Sequence, residues 1–161
     1  MKRIFFVSII CLLGFIFQFF LFNLLGPWGT PHFLILCIVF FDLYWGVRHS
    51  LVASFIGGFL LDIFSLDTMG SHILALAICA YLTIFIRRNF YQPGSYLSRA
   101  FVVGASVIAY GFTLGMLRMI NDVSFSASGI FCALVPELLI TMIVSNVVFE
   151  FLKKWIDMRS W

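Results

Sequence analysis

GGFLLDIFSLDTMGSH, residues Gly57 to His72, places Asp62 inside and Asp67 just beyond a run apolar enough to sit in lipid. An aspartate at the centre of a membrane helix costs roughly 2.5–3.5 kcal/mol on insertion scales. The stretch is therefore read as a helix end, a turn and a new helix start, with both acids near the water boundary. At about 1.5 Å per residue, Asp62 lies only about 6 Å inside the end of its helix. The following helix starts at Asp67 to Met69 on the same face, and its unsatisfied N–H groups and positive dipole end favour a nearby carboxylate. Asp67, followed by Thr68, has the chemistry of an N-cap. The bland reading is that both acids pin one hairpin turn.

Working outward, the rest of the chain has the same character. Of 161 residues, 63% are hydrophobic and 11% are charged, with a mean hydropathy of +1.10, whereas soluble domains carry about 25% charged residues. Too little polar surface remains to cover the chain in water, so lipid must cover it. Six apolar stretches approach the roughly 20 residues needed to cross a bilayer core of about 30 Å. They run from about Ile4 to Leu25, His32 to Val47, Leu51 to Leu66, Met69 to Ile86, Ala100 to Ile120 and Ile130 to Leu152. The second to fourth are short, and the turns at Arg48-His49-Ser50 and Asp67-Thr68 leave almost nothing between them. A tight antiparallel hairpin stack is expected there. The fold class is thus an all-α polytopic membrane protein, a single integral-membrane domain over residues 1–161 built as a bundle of six transmembrane helices.

Six spans put both termini on one face, and the basic residues say which. With a cytoplasmic amino terminus, Lys2, Arg3, Arg48, Arg87, Arg88, Arg99, Lys153, Lys154 and Arg159 all fall at inner ends or loops, leaving Arg118 alone near the outer face. The net charge of +3 then reports topology and attraction to anionic lipid heads, not nucleic-acid binding. The Met-Lys-Arg start followed by a long apolar run is expected to be a retained span and not a cleaved signal peptide. Cys11, Cys37, Cys79 and Cys132 sit inside spans with no C-x-x-C pair, and read as small packing residues. The connection from Arg87 to Arg99 mixes arginines with Phe90, Tyr91 and Tyr96, as a head-group-level segment does; a partner-docking loop is the sharper alternative.

Ionisable residues inside spans are where function is sought. Asp62, His72, Arg118, Asp122 and Glu137 come from different segments yet gather in the outer half of the bundle. A pairing of Arg118 with Glu137 or Asp62 is expected, because a lone charge at that depth is costly. Asp42 lies about 9 Å from the inner boundary and Asp62 about 18 Å, a mismatch that argues against an aspartyl dyad, whose carboxylates must sit about 3 Å apart. Asp42 has no partner in its own helix except the reach of Arg48. No zinc-protease, serine-hydrolase or phosphate-loop motif occurs, so no catalytic residue, metal or cofactor is expected. Small residues recur four apart at Ala53/Gly57, Ser54/Gly58 and Gly111/Gly115, with Gly104 further along. Such stripes let helix backbones approach closely, within the bundle or against another protein's transmembrane helix.

The segment IGGFLLDIFSLDTMGSHILALAICAYL, Ile56 to Leu82, resembles the rod shape-determining protein MreD family: a glycine-rich half-span, then Leu-Leu-Asp, an apolar pair, Ser, a few residues to Gly, and a Leu/Ala-rich helix reaching Tyr81. Pro31 opening an apolar helix fits as well, as do the length and the basic inner ends. His32 departs from the pattern, since Asp or Asn would be expected after that proline. The resemblance implies a bacterial inner-membrane protein of the cell-elongation machinery, with no reaction of its own. It implies binding to the single-span scaffold protein MreC, and a link between the MreB filament and the RodA glycosyltransferase with its transpeptidase. Gly57, Gly58, Asp62, Ser65 and Gly70 match the family's motif. Together with Asp67, Gly111, Gly115, Arg118 and Glu137 they are the residues expected to carry binding, the small ones as a groove floor and the charged ones setting register. The alternative is a substrate-capture subunit of an energy-coupling vitamin transporter, with an outward cavity lined by Asp62, His72, Arg118 and Glu137.

Overall fold

The computed structural model describes residues 2–26, 30–65, 68–90, 96–121 and 127–158. They form six helices: α1 Lys2–Leu25, α2 Phe33–Trp45, α3 Val47–Phe64, α4 Ser71–Phe90, α5 Tyr96–Asn121 and α6 Ala127–Met158. Five of these, α1 and α3 to α6, are long and apolar enough to cross a membrane. The sixth, α2, has 13 residues, about 20 Å of helix against a bilayer core of about 30 Å.

The shortness of α2 follows from where it lies. It packs against α1, α3, α4, α5 and α6, and every side chain from Phe33 to Asp42 is buried. A helix that is apolar on all sides belongs in the interior, and one that meets little lipid need not match the thickness of the lipid. The remaining helices form a ring around it, with α1 on α3, α3 on α4, α4 on α5 and α5 on α6. Among the described residues α1 and α6 do not pack against each other, so the ring has a seam. The outward faces are apolar, as with Phe5, Leu13 and Phe20 on α1 or Ile143, Val147 and Phe151 on α6.

Two differences from the sequence expectation have local causes. Arg48-His49-Ser50 is not a turn but the first turn of α3, because Gly46 alone reverses the chain. Its φ of 87° lies in the left-handed region open to glycine, its N–H donates to the Phe41 carbonyl, and its own carbonyl accepts from the His49 N–H. Asp42, in turn, is met by α4 and not by Arg48: Arg87 Nη1 lies 4.0 Å from Asp42 Oδ1 and donates to the Asp42 backbone carbonyl. Arg48 is exposed.

Polar side chains inside the bundle tie helices together. Ser50 donates from α3 to the Ile38 carbonyl of α2 at 3.2 Å, and Thr83 of α4 meets Ser106 of α5 at 3.1 Å. Such bonds are worth about 0.6–2 kcal/mol each between membrane helices. Cys11, Cys37 and Cys79 are buried and unbridged, as expected of packing residues. The Cys132 side chain lies outside the described residues, as do Asp67, Asp122 and Tyr91.

Candidate functional site

The distal end of the bundle, away from Lys2 and Met158, holds the link from α3 to α4. Asp62, 6% exposed, reaches from the last full turn of α3 to the start of α4. Its Oδ2 accepts from the Gly70 N–H at 3.0 Å and its Oδ1 from the His72 N–H at 3.0 Å. These are orphan donors of a helix N-terminus, and a carboxylate there gains both hydrogen bonds and the favourable end of the dipole. Gly70 makes the geometry possible, since its φ of 99° is closed to most side chains. Asp62 is thus a cap supplied from a neighbouring helix, and both its oxygens are engaged by backbone.

Beside this turn lies a cavity of about 450 Å³. Its walls bring together Ser65, His72, Gly111, Gly115, Arg118 and Glu137 with Gln18, Tyr110 and His32, the last noted in the sequence only as a departure after Pro31 and not as a site residue. His32 sits at the centre of a connected set of bonds. Gln18 Oε1 accepts from the Leu34 N–H at 3.4 Å, which turns the amide nitrogen toward His32 Nδ1, 3.2 Å away. An amide N–H donating to Nδ1 leaves the ring proton on Nε2. That nitrogen faces Glu137 Oε1 at 2.6 Å. The His32 backbone N–H also donates to Thr141 Oγ1 at 3.2 Å, one turn along α6 from Glu137. The residue before α2 is therefore fastened to α1 and α6 at once.

His32 is seated on Glu137, a partner the sequence reading did not name, and Asp62 accepts from backbone N–H groups. Arg118 is exposed and lies on the wall of the same cavity. His72 Nδ1 and the Tyr110 hydroxyl are 2.7 Å apart, and the Tyr110 ring stands edge-on to His32 with centroids 4.7 Å apart. The cavity is also lined by the aromatic rings of Phe15, Phe19, Phe22 and Phe64, of which Phe15 and Phe19 both pack against Phe64. Two signals for the missed residues were present in the sequence: Gln18 is one of two amides, with Asn23, in an otherwise largely apolar span, and His32 breaks the expected pattern after Pro31.

The other small residues have different surroundings. A Cβ on Gly58 would fall 2.5 Å from the Ile73 Cα, so α3 and α4 touch backbone to backbone there. Gly57 faces Leu34 of α2 and Gly111 faces Leu134 of α6. These three glycines are covered by helices of their own chain. Further from the distal end, α4, α5 and α6 border a second concavity of about 590 Å³ whose floor and rims include Gly104, Ala105, Ala109, Ile78, Leu138 and Met142. It is an apolar groove on the lipid-facing side.

Chemically, the distal cavity offers hydrogen bonds and charge for binding. Among the described residues no group of three or more His, Cys, Asp or Glu side chains is placed to hold a metal ion. Comparison with curated proteins and with solved structures gives no match. A family model described as rod shape-determining protein MreD matches residues 2–159, nearly the whole chain and well beyond the hairpin that carried the resemblance. Proteins of this family are non-catalytic membrane scaffolds of the cell-elongation machinery. The capped Gly57–His72 hairpin, the helix bundle around α2 and the full-length match agree: the chain belongs to the MreD family of rod shape-determining proteins.

Proposed function

We propose that this protein is an inner-membrane scaffold that holds the transmembrane helix of MreC in the groove between α4, α5 and α6, and so links MreB filaments to RodA and its transpeptidase. The observation that carries this reading is the groove itself. Ala105 and Ala109 leave its floor without bulky side chains, Met142 lies over Gly104, and Ile78 and Leu138 border it. In lipid, where no hydrophobic force drives apolar helices together, close backbone approach over small residues supplies the packing energy. Gly57, Gly58, Gly104 and Gly111 are already covered within the chain, so Ala105 and Ala109, both only partly buried, are the small residues of α5 left for a partner. On this reading all six helices cross the bacterial inner membrane, both termini are cytoplasmic, and the distal end with Arg118 and Glu137 faces outward, where it sets the register of the incoming helix. Family membership displaces the vitamin-capture alternative.

The test is in-cell photo-cross-linking from Ala105 and Ala109, with Phe20 on the lipid-facing side of α1 as the control position. MreC is expected to be trapped from the α5 positions and not from Phe20. Ala109→Trp, which fills the groove, should abolish that adduct and round the cells while leaving the amount of protein in the membrane unchanged. Equal trapping from Phe20, or an intact adduct in Ala109→Trp, would refute the groove as the docking site.

A further inference from the structure

Among the described residues, one set of polar side chains spans the seam between α1 and α6, and it runs through His32. Gln18 makes the only hydrogen bonds there that tie the distal half of α1 to another part of the bundle. His32 takes the Gln18 amide on Nδ1 at 3.2 Å, and it holds α6 through Nε2 to Glu137 at 2.6 Å and through its backbone N–H to Thr141. The remaining grip on this half of α1 is aromatic, with Phe17 edge-on to Phe33 and with Phe15 and Phe19 against Phe64. In lipid such apolar contacts exchange for acyl chains at little cost. The amide therefore weighs most in fixing where this end of α1 sits.

The two ring nitrogens of His32 respond differently to a proton. Glu137 accepts from Nε2 whether the ring is neutral or cationic, and that bond becomes charge-assisted in the cation. Gln18 does tell the two states apart. Its Oε1 takes the Leu34 N–H at 3.4 Å, an orphan donor of the first turn of α2, so its nitrogen faces Nδ1, and two donors oppose each other once Nδ1 carries a hydrogen. Turning the amide over only moves the conflict to Leu34. The other ionisable groups around the ring are Tyr110 of α5, edge-on at 4.7 Å, His72 of α4, bonded to the Tyr110 hydroxyl, Arg118 of α5 on the cavity wall, and Asp62 of α3, which accepts the Gly70 and His72 N–H groups. We propose that His32 is a proton-operated clasp on the seam. The neutral ring holds α1 to the start of α2; the protonated ring keeps Glu137, repels Gln18 and lets the distal half of α1 move outward, widening the cavity of about 450 Å³ on its α1–α6 side. His32 itself lines that cavity, which gives protons their route. The clasp stands apart from MreC docking, which uses the α4–α5–α6 groove.

The experiment is a spin-label distance measurement on the purified full-length chain in neutral detergent, where both ends of the bundle meet the same pH. Labels are placed at Phe20→Cys of α1 and Leu139→Cys of α6, both exposed positions, with the four native cysteines replaced by alanine. From about pH 8 to about pH 5.5, a range in which an imidazole changes charge, the distance is expected to lengthen by about 2 Å or more, the scale of helix shifts in switching proteins. His32→Gln should remove this response, and His49→Gln and His72→Gln should leave it in place. Gln18→Glu offers acceptors to both Nδ1–H and the Leu34 N–H, and it should hold the distance short at the lower pH, a rescue that a purely structural role for Gln18 does not give. An unchanged distance in the parent chain would overturn the proposal. So would a response that survives His32→Gln, as titration of Glu137 or His72 would produce, a response lost in His72→Gln, or opening of Gln18→Glu as wide as that of the parent.

Discussion

Asp62 shows how one side chain decides a membrane turn. Deep in a span it would be expensive, but its two oxygens accept the Gly70 and His72 N–H groups at 3.0 Å each, donors that would otherwise be stranded where water is scarce. The capping role was legible from the sequence because it depends on local facts: the distance to the helix end and a helix start on the same face. The role of His32 was not legible in that way, since its partners Gln18 and Glu137 lie in helices distant in sequence and no periodicity brings them together. Hydrogen bonds to charged groups contribute about 1.5–3 kcal/mol each. Asp62→Ala is accordingly expected to lower stability by about 2 kcal/mol or more and to speed hydrogen exchange at the Gly70 and His72 amides, measured in detergent micelles by thermal unfolding and mass spectrometry. Unchanged exchange at both amides would show that the carboxylate is not their partner.

Among the elements, the α3–α4 pair is set by backbone contact and the α2–α3 pair by a side chain, and a methyl group distinguishes them. At Gly58 an added Cβ meets the Ile73 Cα at 2.5 Å, which only a shift of a whole helix relieves; at Gly57 it meets the Leu34 Cδ2 at 3.1 Å, the far end of a rotatable side chain. Overpacking costs about 1–3 kcal/mol where neighbours cannot yield. Gly58→Ala should therefore reduce the unfolding midpoint strongly and Gly57→Ala by much less, and the reverse order would contradict the packing described. Both glycines stood out in the sequence as small residues four apart from others, but spacing does not say which neighbour fills the gap. The same limit applies to α2. Its apolar run was visible, yet only its burial among five other helices explains why 13 residues suffice. The start of α3 was misplaced because charge at Arg48 suggests a loop, while a single glycine at position 46 makes the reversal and leaves Arg48 exposed on the first helical turn.

For the molecule as a whole, helix direction and charge make the same demand. Gln18 of α1 meets His32 at the distal end, and Phe6 of α1 meets Trp45 of α2 at the opposite end, with ring centroids 5.6 Å apart. Consecutive helices therefore alternate in direction, α2 included, however short it is. The basic residues Arg48, Arg87, Arg88, Lys153 and Lys154 collect at the end that holds the termini, and Arg118 stands at the other. Basic residues favour the cytoplasmic face, so the end with the termini should be inside. In a variant with all four native cysteines replaced by alanine, single cysteines at the exposed positions Met69, Met119, Arg88 and Lys154 report the sides directly. A membrane-impermeant maleimide added to intact spheroplasts is expected to label Met69→Cys and Met119→Cys, and to reach Arg88→Cys and Lys154→Cys only after the membrane is opened. Labelling of Arg88→Cys in intact spheroplasts would invert the bundle, move the Arg118 cavity to the cytoplasmic leaflet and leave the proposed outward register without a basis.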